Sequence, residues 1–394
     1  MKKWAKIAGI ELLTLLMILG VLEFCSWIFA PAPALATRHD SVVGARYPRS
    51  MDRLVYNRES GVPVSFRTNA VGFRGPEWKL GRQPGIQRVA ILGDSFIAAE
   101  ALEVEETLNH KLHQLLATQG APGERWEVMN FGVAGSSTAD QLALYRNVVR
   151  HYKPDIIVVG YGTGTDVVDN SRELASHVRV CFRLSPDGRL ERDNSPAENS
   201  GWLDAVFRWS RFYAWQKSRS NQLIKEVRKG VQQPSRIDWI FDRQESEKMT
   251  RAWKLTAAIL EQLDRETRRD ACTLVVMAVP CAIQVYEDSA DQLAGRLSPA
   301  SRVDPLYPTQ RLLQICARRE IPCLSMVGDF RRRAPSRLST REEEWLFFNG
   351  VGHLNRAGQR AAAENLFQFL VREKLVSGIS TTASARTDPP VQNR

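Results

Sequence analysis

What most restricts this chain is an alternation that begins near residue 88. Short runs rich in Val, Ile, Leu and aromatic residues, namely RVAILG (88–93), WEVMNFG (126–132), DIIVVGYG (155–162), CTLVVMAVP (272–280) and IPCLSM (321–326), are separated by segments with helical periodicity. A strand that is apolar on both faces must be covered on both faces, which is the condition of strands in a parallel sheet. The intervening segments are long enough for the crossovers that parallel neighbours require. Helices are expected at EETLNHKLHQLLATQG, ending at Gly120, and at STADQLALYRNVVRHY, with Thr138 as its cap and Leu142, Tyr145, Val149 and Tyr152 on one face. Two more follow at KMTRAWKLTAAILEQLDRETRR and NRAGQRAAAENLFQFLVREKL, the latter capped by Asn355. The expected fold is α/β, a three-layer α/β/α sandwich around a parallel sheet, with ligands collecting at the carboxyl ends of the strands.

The flanks obey other rules. Lys2, Lys3 and Lys6 precede an apolar run from Ile7 to Ala30 in which Glu11 and Glu23 are the only charges, and about 20 such residues suffice to cross a bilayer. Residues 1–30 therefore read as an N-terminal transmembrane helix whose lysines stay cytoplasmic, leaving the rest of the chain exported. In a bacterium this is a single-pass inner-membrane protein facing the periplasm. The rival is a cleaved signal sequence with Leu12 to Leu22 as its apolar region and Ala34-Leu35-Ala36 as a cleavage site; the distance between the two favours the anchor. Residues 31–87 read as an irregular lead-in, 88–375 as the main domain and 376–394 as a disordered tail. Residues 172–247 read as a helical insertion carrying Trp202, Trp209, Trp215 and Trp239.

A net charge of +10 is spread along the chain, apart from clusters such as RRR at 331–333, and no nucleic-acid recognition motif accompanies it. Nucleic acid is not an expected partner. Cys25 lies in the anchor, and Cys181, Cys272, Cys281, Cys316 and Cys323 have no metal-ligand spacing. His110 and His113 are three apart on a helix but lack a third ligand, so neither a metal nor a cofactor is expected.

The chemistry lies at the ends of the runs. Ser95 follows the first strand in GDSF (93–96), on a tight turn where its hydroxyl can be exposed. The next strand ends in NFGVAG (130–135), where Asn130, Gly132 and Gly135 make a turn able to point a main-chain N–H at a developing oxyanion. The third ends in GTGTDVVDN (162–170). His353 stands in GHLNRAG (352–358), just before a helix. Asp94 reads as a turn-stabilising carboxylate, and Asp166 and Asp169 as helix caps.

These four segments resemble those of the SGNH or GDSL-type serine hydrolases, over residues 90 to 370 or so. TNAVGFRGPEW (68–78) is similar to the lead-in of a membrane-anchored bacterial branch. The resemblance implies a flavodoxin-like SGNH fold with Ser95 as nucleophile and His353 as general base. It also implies an oxyanion held by the N–H groups of Ser95 and Gly135 and by an asparagine side chain. Two positions depart from the pattern. The asparagine is Thr165, whose hydroxyl is a donor of shorter reach. The acid normally two or three residues before the histidine is replaced by Val351 and Gly350, leaving Asn349, a backbone carbonyl or a distant carboxylate such as Asp329 to orient His353.

Three functions fit. One is an esterase acting on O-acyl groups of a cell-envelope glycan or lipid; another is an O-acyltransferase using the same Ser/His pair; the last is a non-catalytic glycan-binding or assembly protein with a degenerate site.

Overall fold

A computed structural model describes residues 2–29, 37–57, 59–120, 123–175, 179–193, 239–296, 302–337, 341, 344–350 and 352–376, with a few positions between 210 and 220. Trp202, Trp209, Trp215, His177, Val351, the Ala34-Leu35-Ala36 site and the tail from 377 lie outside the described residues.

Helix α1 (Lys2–Phe29) contains an apolar stretch, Gly9–Ile28, of 20 residues with mean hydropathy 1.9, long and apolar enough to cross a membrane. The lead-in then departs from its expected irregularity. It forms two antiparallel hairpins, β1 (Arg38–Asp40) with β2 (Gly44–Arg46), and β3 (Asp52–Tyr56) with β4 (Pro63–Arg67). Turn residues explain the second one: Asn57 Oδ1 accepts the N–H groups of Glu59 and Ser60 at 2.8 and 3.3 Å, and Gly61 supplies a positive φ of 68°.

The main sheet has five strands: β5 (Ile86–Gly93), β6 (Arg125–Gly132), β7 (Ile156–Gly162), β10 (Thr273–Val279) and β11 (Cys323–Ser325). Between β7 and β10 lies a hairpin, β8 (Cys181–Leu184) with β9 (Leu190–Asp193), so the described start of the expected helical insertion is β structure. All pairings in the main sheet are parallel, and the spatial order is β11-β10-β7-β5-β6. Counted within the sheet, this is the doubly wound order 2-1-3-4-5, whose switch point lies between β5 and β7.

Alternate residues of each strand feed opposite layers. Ala90, Leu92, Met129, Phe131, Ile157, Val159, Val276 and Ala278 pack with α4 (Thr138–Asn147) and with the 23-residue helix Glu247–Arg269. Val89, Ile91, Val158, Val275 and Met277 pack with α3 (Leu108–Gln119) and with the last helix, Arg356–Arg372. Helices on both faces make the expected three-layer sandwich. The cap of α4 is Ser137 rather than Thr138: its hydroxyl accepts the Asp140 N–H while Asp140 accepts the Ser137 N–H, a capping box one residue earlier than expected.

Candidate active site

Ser95 opens the four-residue helix α2 (Ser95–Ala98) directly after β5, and three glycines make the room for it. A Cβ at Gly93 would lie 2.2 Å from Ile97 Cγ1, one at Gly160 2.7 Å from the same atom, and one at Gly132 2.5 Å from the Ala98 nitrogen. With no side chains at those points, Ile97 drops onto the strand ends and the turn that carries Ser95 sits directly over the switch point. Asn130 pins it there, donating from Nδ2 to the Ile97 carbonyl at 3.1 Å while its Oδ1 accepts the Gly132 N–H at 2.8 Å. Asp94 Oδ1 accepts the Phe96 N–H at 2.9 Å, in the turn-stabilising role expected of it.

His353 comes from a loop between two helices rather than from a strand end. A bridge between Phe347 and Leu354 closes that loop, and the Phe348 N–H donates to the His353 carbonyl at 2.8 Å. Asn355 caps the helix behind it, accepting the Gly358 N–H at 2.9 Å. Gln359 on that helix donates to the Phe96 carbonyl at 2.8 Å, tying the histidine's support to the serine's turn. The Phe96 and His353 rings lie 5.2 Å apart.

The result is a continuous hydrogen-bonded chain. His353 Nε2 lies 2.7 Å from Ser95 Oγ, and His353 Nδ1 lies 2.7 Å from Glu59 Oε2. The group on the far nitrogen is therefore a carboxylate from the loop between β3 and β4. Asn349 does not hold this place. It is exposed, with φ 51° and ψ 23°, a left-handed conformation that asparagine tolerates better than most residues, and its part is to turn the loop. Asp329 is engaged elsewhere, with Arg332, Arg333 and Asn365.

Gly352 makes the carboxylate's approach possible: a Cβ there would lie 2.9 Å from Glu59 Oε1 and 3.0 Å from the Phe348 carbonyl. A glycine directly before the histidine was the sequence signal that something approaches closely. Nothing in the spacing pointed to Glu59, which lies 294 residues away in a segment outside the main alternation.

Electrostatics raise the proton affinity of the histidine. Burial by itself lowers the His353 pKa, but the hydrogen bond and charge of Glu59, with the charges of Asp94 and Glu100, outweigh it and carry the pKa above the ordinary value. Burial pushes Asp94 up to about 6, helped by Asp169 and opposed by the Phe96 N–H and by His353. Asp166 is raised by burial and by the charge of Asp94, while its Oδ2 accepts the Gly162 N–H at 2.6 Å.

Ser95, His353 and Glu59 line a cleft of about 100 Å³ with Asn57, Ala99, Glu100, Ala101, Leu102 and Leu354. Gly135 and Thr165 are not among its walls. Gly135 turns its loop with φ 69°, and the N–H groups of Ser95 and Gly135 make no hydrogen bond among the described residues. Thr165 stands beside Gly162, where its Oγ1 and Asp94 Oδ2 would lie 2.7 and 3.1 Å from a Cβ of that glycine, so it neighbours the Ser95 turn from the β7 side. Among the described residues no cluster of His, Cys, Asp and Glu is arranged to hold a metal ion.

Chemically, a neutral imidazole at this distance can take the Ser95 proton, and a carboxylate on its other nitrogen fixes the tautomer and stabilises the imidazolium that results.

No family model matches the sequence, and no curated protein matches it. Among solved structures, an acetylxylan esterase from Geobacillus stearothermophilus is 15% identical, covering 72% of this chain and 94% of its own, with a TM-score of 0.40. A lipase/acylhydrolase from Enterococcus faecalis is 14% identical over 73% of this chain and 96% of its own, at 0.39. The acetyl xylan esterase AlAXEase is 13% identical over 71% and 98%, also at 0.39. The strand order of the parallel sheet and the helices on both its faces, rather than those scores, fit the α/β/α fold that the four segments imply.

Proposed function

We propose that the chain is a serine esterase in which Ser95 attacks an ester carbonyl, His353 takes and returns the proton, and Glu59 is the acid of the triad. The observation that carries this reading is the chain of two 2.7 Å contacts from Ser95 Oγ through the imidazole to Glu59. It supplies the acid that the sequence pattern lacks, and so weakens the case for a degenerate, merely binding site. In the first half-reaction the Ser95 oxygen bonds to the carbonyl carbon, His353 holds the proton, and that proton passes to the departing alcohol. Water, deprotonated by His353, then releases the acid. The N–H groups of Ser95 and Gly135, with Thr165 as a weaker donor, are the proposed partners of the oxyanion. Helix α1 is the proposed anchor, holding the domain at the outer face of a bacterial inner membrane, where O-acylated glycans or lipids are its substrates.

The test is labelling of the full chain, in detergent, by a serine-directed fluorophosphonate. Wild type should react and Ser95→Ala should not. Equal labelling of both, or of neither, overturns the assignment.

A further inference from the structure

The cleft beside Ser95 carries more negative charge than a triad needs. Glu59 is one of its carboxylates and Glu100 is a second, and among the described residues His353 is the only basic side chain in its walls. Arg74 is buried and donates to the backbone carbonyls of Ala98, Ala99 and Leu102, and it is not among the cleft's described walls.

Glu100 is held in place. The buried Tyr47 hydroxyl donates to its Oε1 at 2.7 Å and accepts the Ala134 N–H at 3.1 Å, one residue before Gly135. The second oxygen makes no hydrogen bond among the described residues, and the half-buried side chain forms part of the cleft wall. A carboxylate with one oxygen engaged and the other free is a fixed acceptor for an O–H. Among the described residues the cleft's apolar wall is Ala99, Ala101, Leu102 and Leu354, too little to take a long acyl chain.

We propose that Glu100 selects the alcohol half of the ester. It accepts a hydrogen bond from a hydroxyl next to the acylated position of a neutral, polyhydroxylated carrier such as a sugar, and it disfavours carriers with a carboxylate near the ester. The inference rests on the serine-esterase reading and adds the carrier's class. Through Tyr47 and Ala134, the same contact reaches the turn that holds Gly135.

The experiment compares kcat/KM of the full chain for three acetyl esters: 4-nitrophenyl acetate, a mono-O-acetyl methyl glucoside and the matching glucuronide. Wild type should prefer the glucoside to the glucuronide by about 10-fold or more, as expected for a like charge facing a partly buried carboxylate. Glu100→Gln should lower the ratio of glucoside to aryl acetate by a further 10-fold to 100-fold or so, the range for a hydrogen bond to a charged group, and narrow the gap to the glucuronide. An unchanged ratio in Glu100→Gln overturns the proposal. So does a wild type that takes the glucuronide as readily as the glucoside, which needs no variant. Failure of the esterase reading itself is distinguishable, because the wild type would then hydrolyse no ester and escape the fluorophosphonate.

Discussion

Removing Glu59 tests the assembled site most directly. In the proposed reaction the carboxylate acts on His353 in two ways: its 2.7 Å contact fixes the ring, and its charge favours the imidazolium that forms when Ser95 gives up its proton. The pair is partly open to water, with side-chain exposures of 40% for His353 and 31% for Glu59, so the charge interaction is screened below that of a buried triad. Two unit charges about 4 Å apart attract by about 1 kcal/mol in water and about 4 kcal/mol at the effective dielectric of a protein surface. Glu59→Gln, which can keep a hydrogen bond but not the charge, should therefore lower kcat by about 5-fold to 1,000-fold. Glu59→Ala, which loses both, should fall further, short of the roughly 10,000-fold seen where a buried acid is neutralised. The pH profile separates charge from a general loss of packing. His353 must be neutral to act as base, and Glu59 raises its pKa, so activity in wild type climbs with pH through a value above that of an ordinary histidine. Without Glu59 the climb must move to lower pH. The assay is hydrolysis of 4-nitrophenyl acetate from pH 5 to 9, beside the rate of fluorophosphonate labelling. If Glu59→Ala keeps kcat/KM within about twofold of wild type with its pH limb in place, the third member of the triad is misassigned.

Gly352→Ala should cost activity, because the new methyl would lie 2.9 Å from Glu59 Oε1 and drive the carboxylate off the imidazole; about a 10-fold loss in kcat is expected, beside a small fall in melting temperature from its 3.0 Å approach to the Phe348 carbonyl. Asn349→Ala should lower stability by about 1 kcal/mol through its left-handed backbone, measured by urea unfolding, and leave the pH limb of His353 unmoved. Asp94→Asn should raise the melting temperature at pH 7 to 8 relative to wild type, and do so less at pH 4. The sign follows from a folded pKa pushed up to about 6 from 3.8: wild type loses stability as pH rises through that window, by up to about 3 kcal/mol, and the amide cannot ionise while still able to accept the Phe96 N–H.

The layered sheet and the positions of Ser95 and Asn130 were legible in the sequence because the strands are buried on both faces, so their composition is forced by packing. Asn355, a side-chain cap before a helix, was legible for the same local reason. The acid was not. Val351 and Gly350 stand where a carboxylate was looked for, and the proposed replacement arrives from the loop of a hairpin whose strands are only five residues each, β3 largely exposed and β4 alternating too briefly to single out the loop between them. Asn349 was misread for a related cause: asparagine serves both as a hydrogen-bonding side chain and as a left-handed turn residue, and only the backbone angle tells the two apart. The hairpins of the lead-in and of the insertion are short antiparallel pairs outside the main sheet, where turn chemistry outweighs propensity.

That hairpin also sets the order in which the protein can become active. Glu59 leaves the ribosome 294 residues before His353, so over that stretch of synthesis the proposed nucleophile, Ser95, stands without its proposed base or the bridge between base and acid. In the proposed reaction Ser95 is armed only when the β3–β4 loop and the His353 loop meet, after the long-range contacts of the sheet have formed. A version beginning at Ile86 would retain every strand of the main sheet and still lack the carboxylate that contacts its histidine.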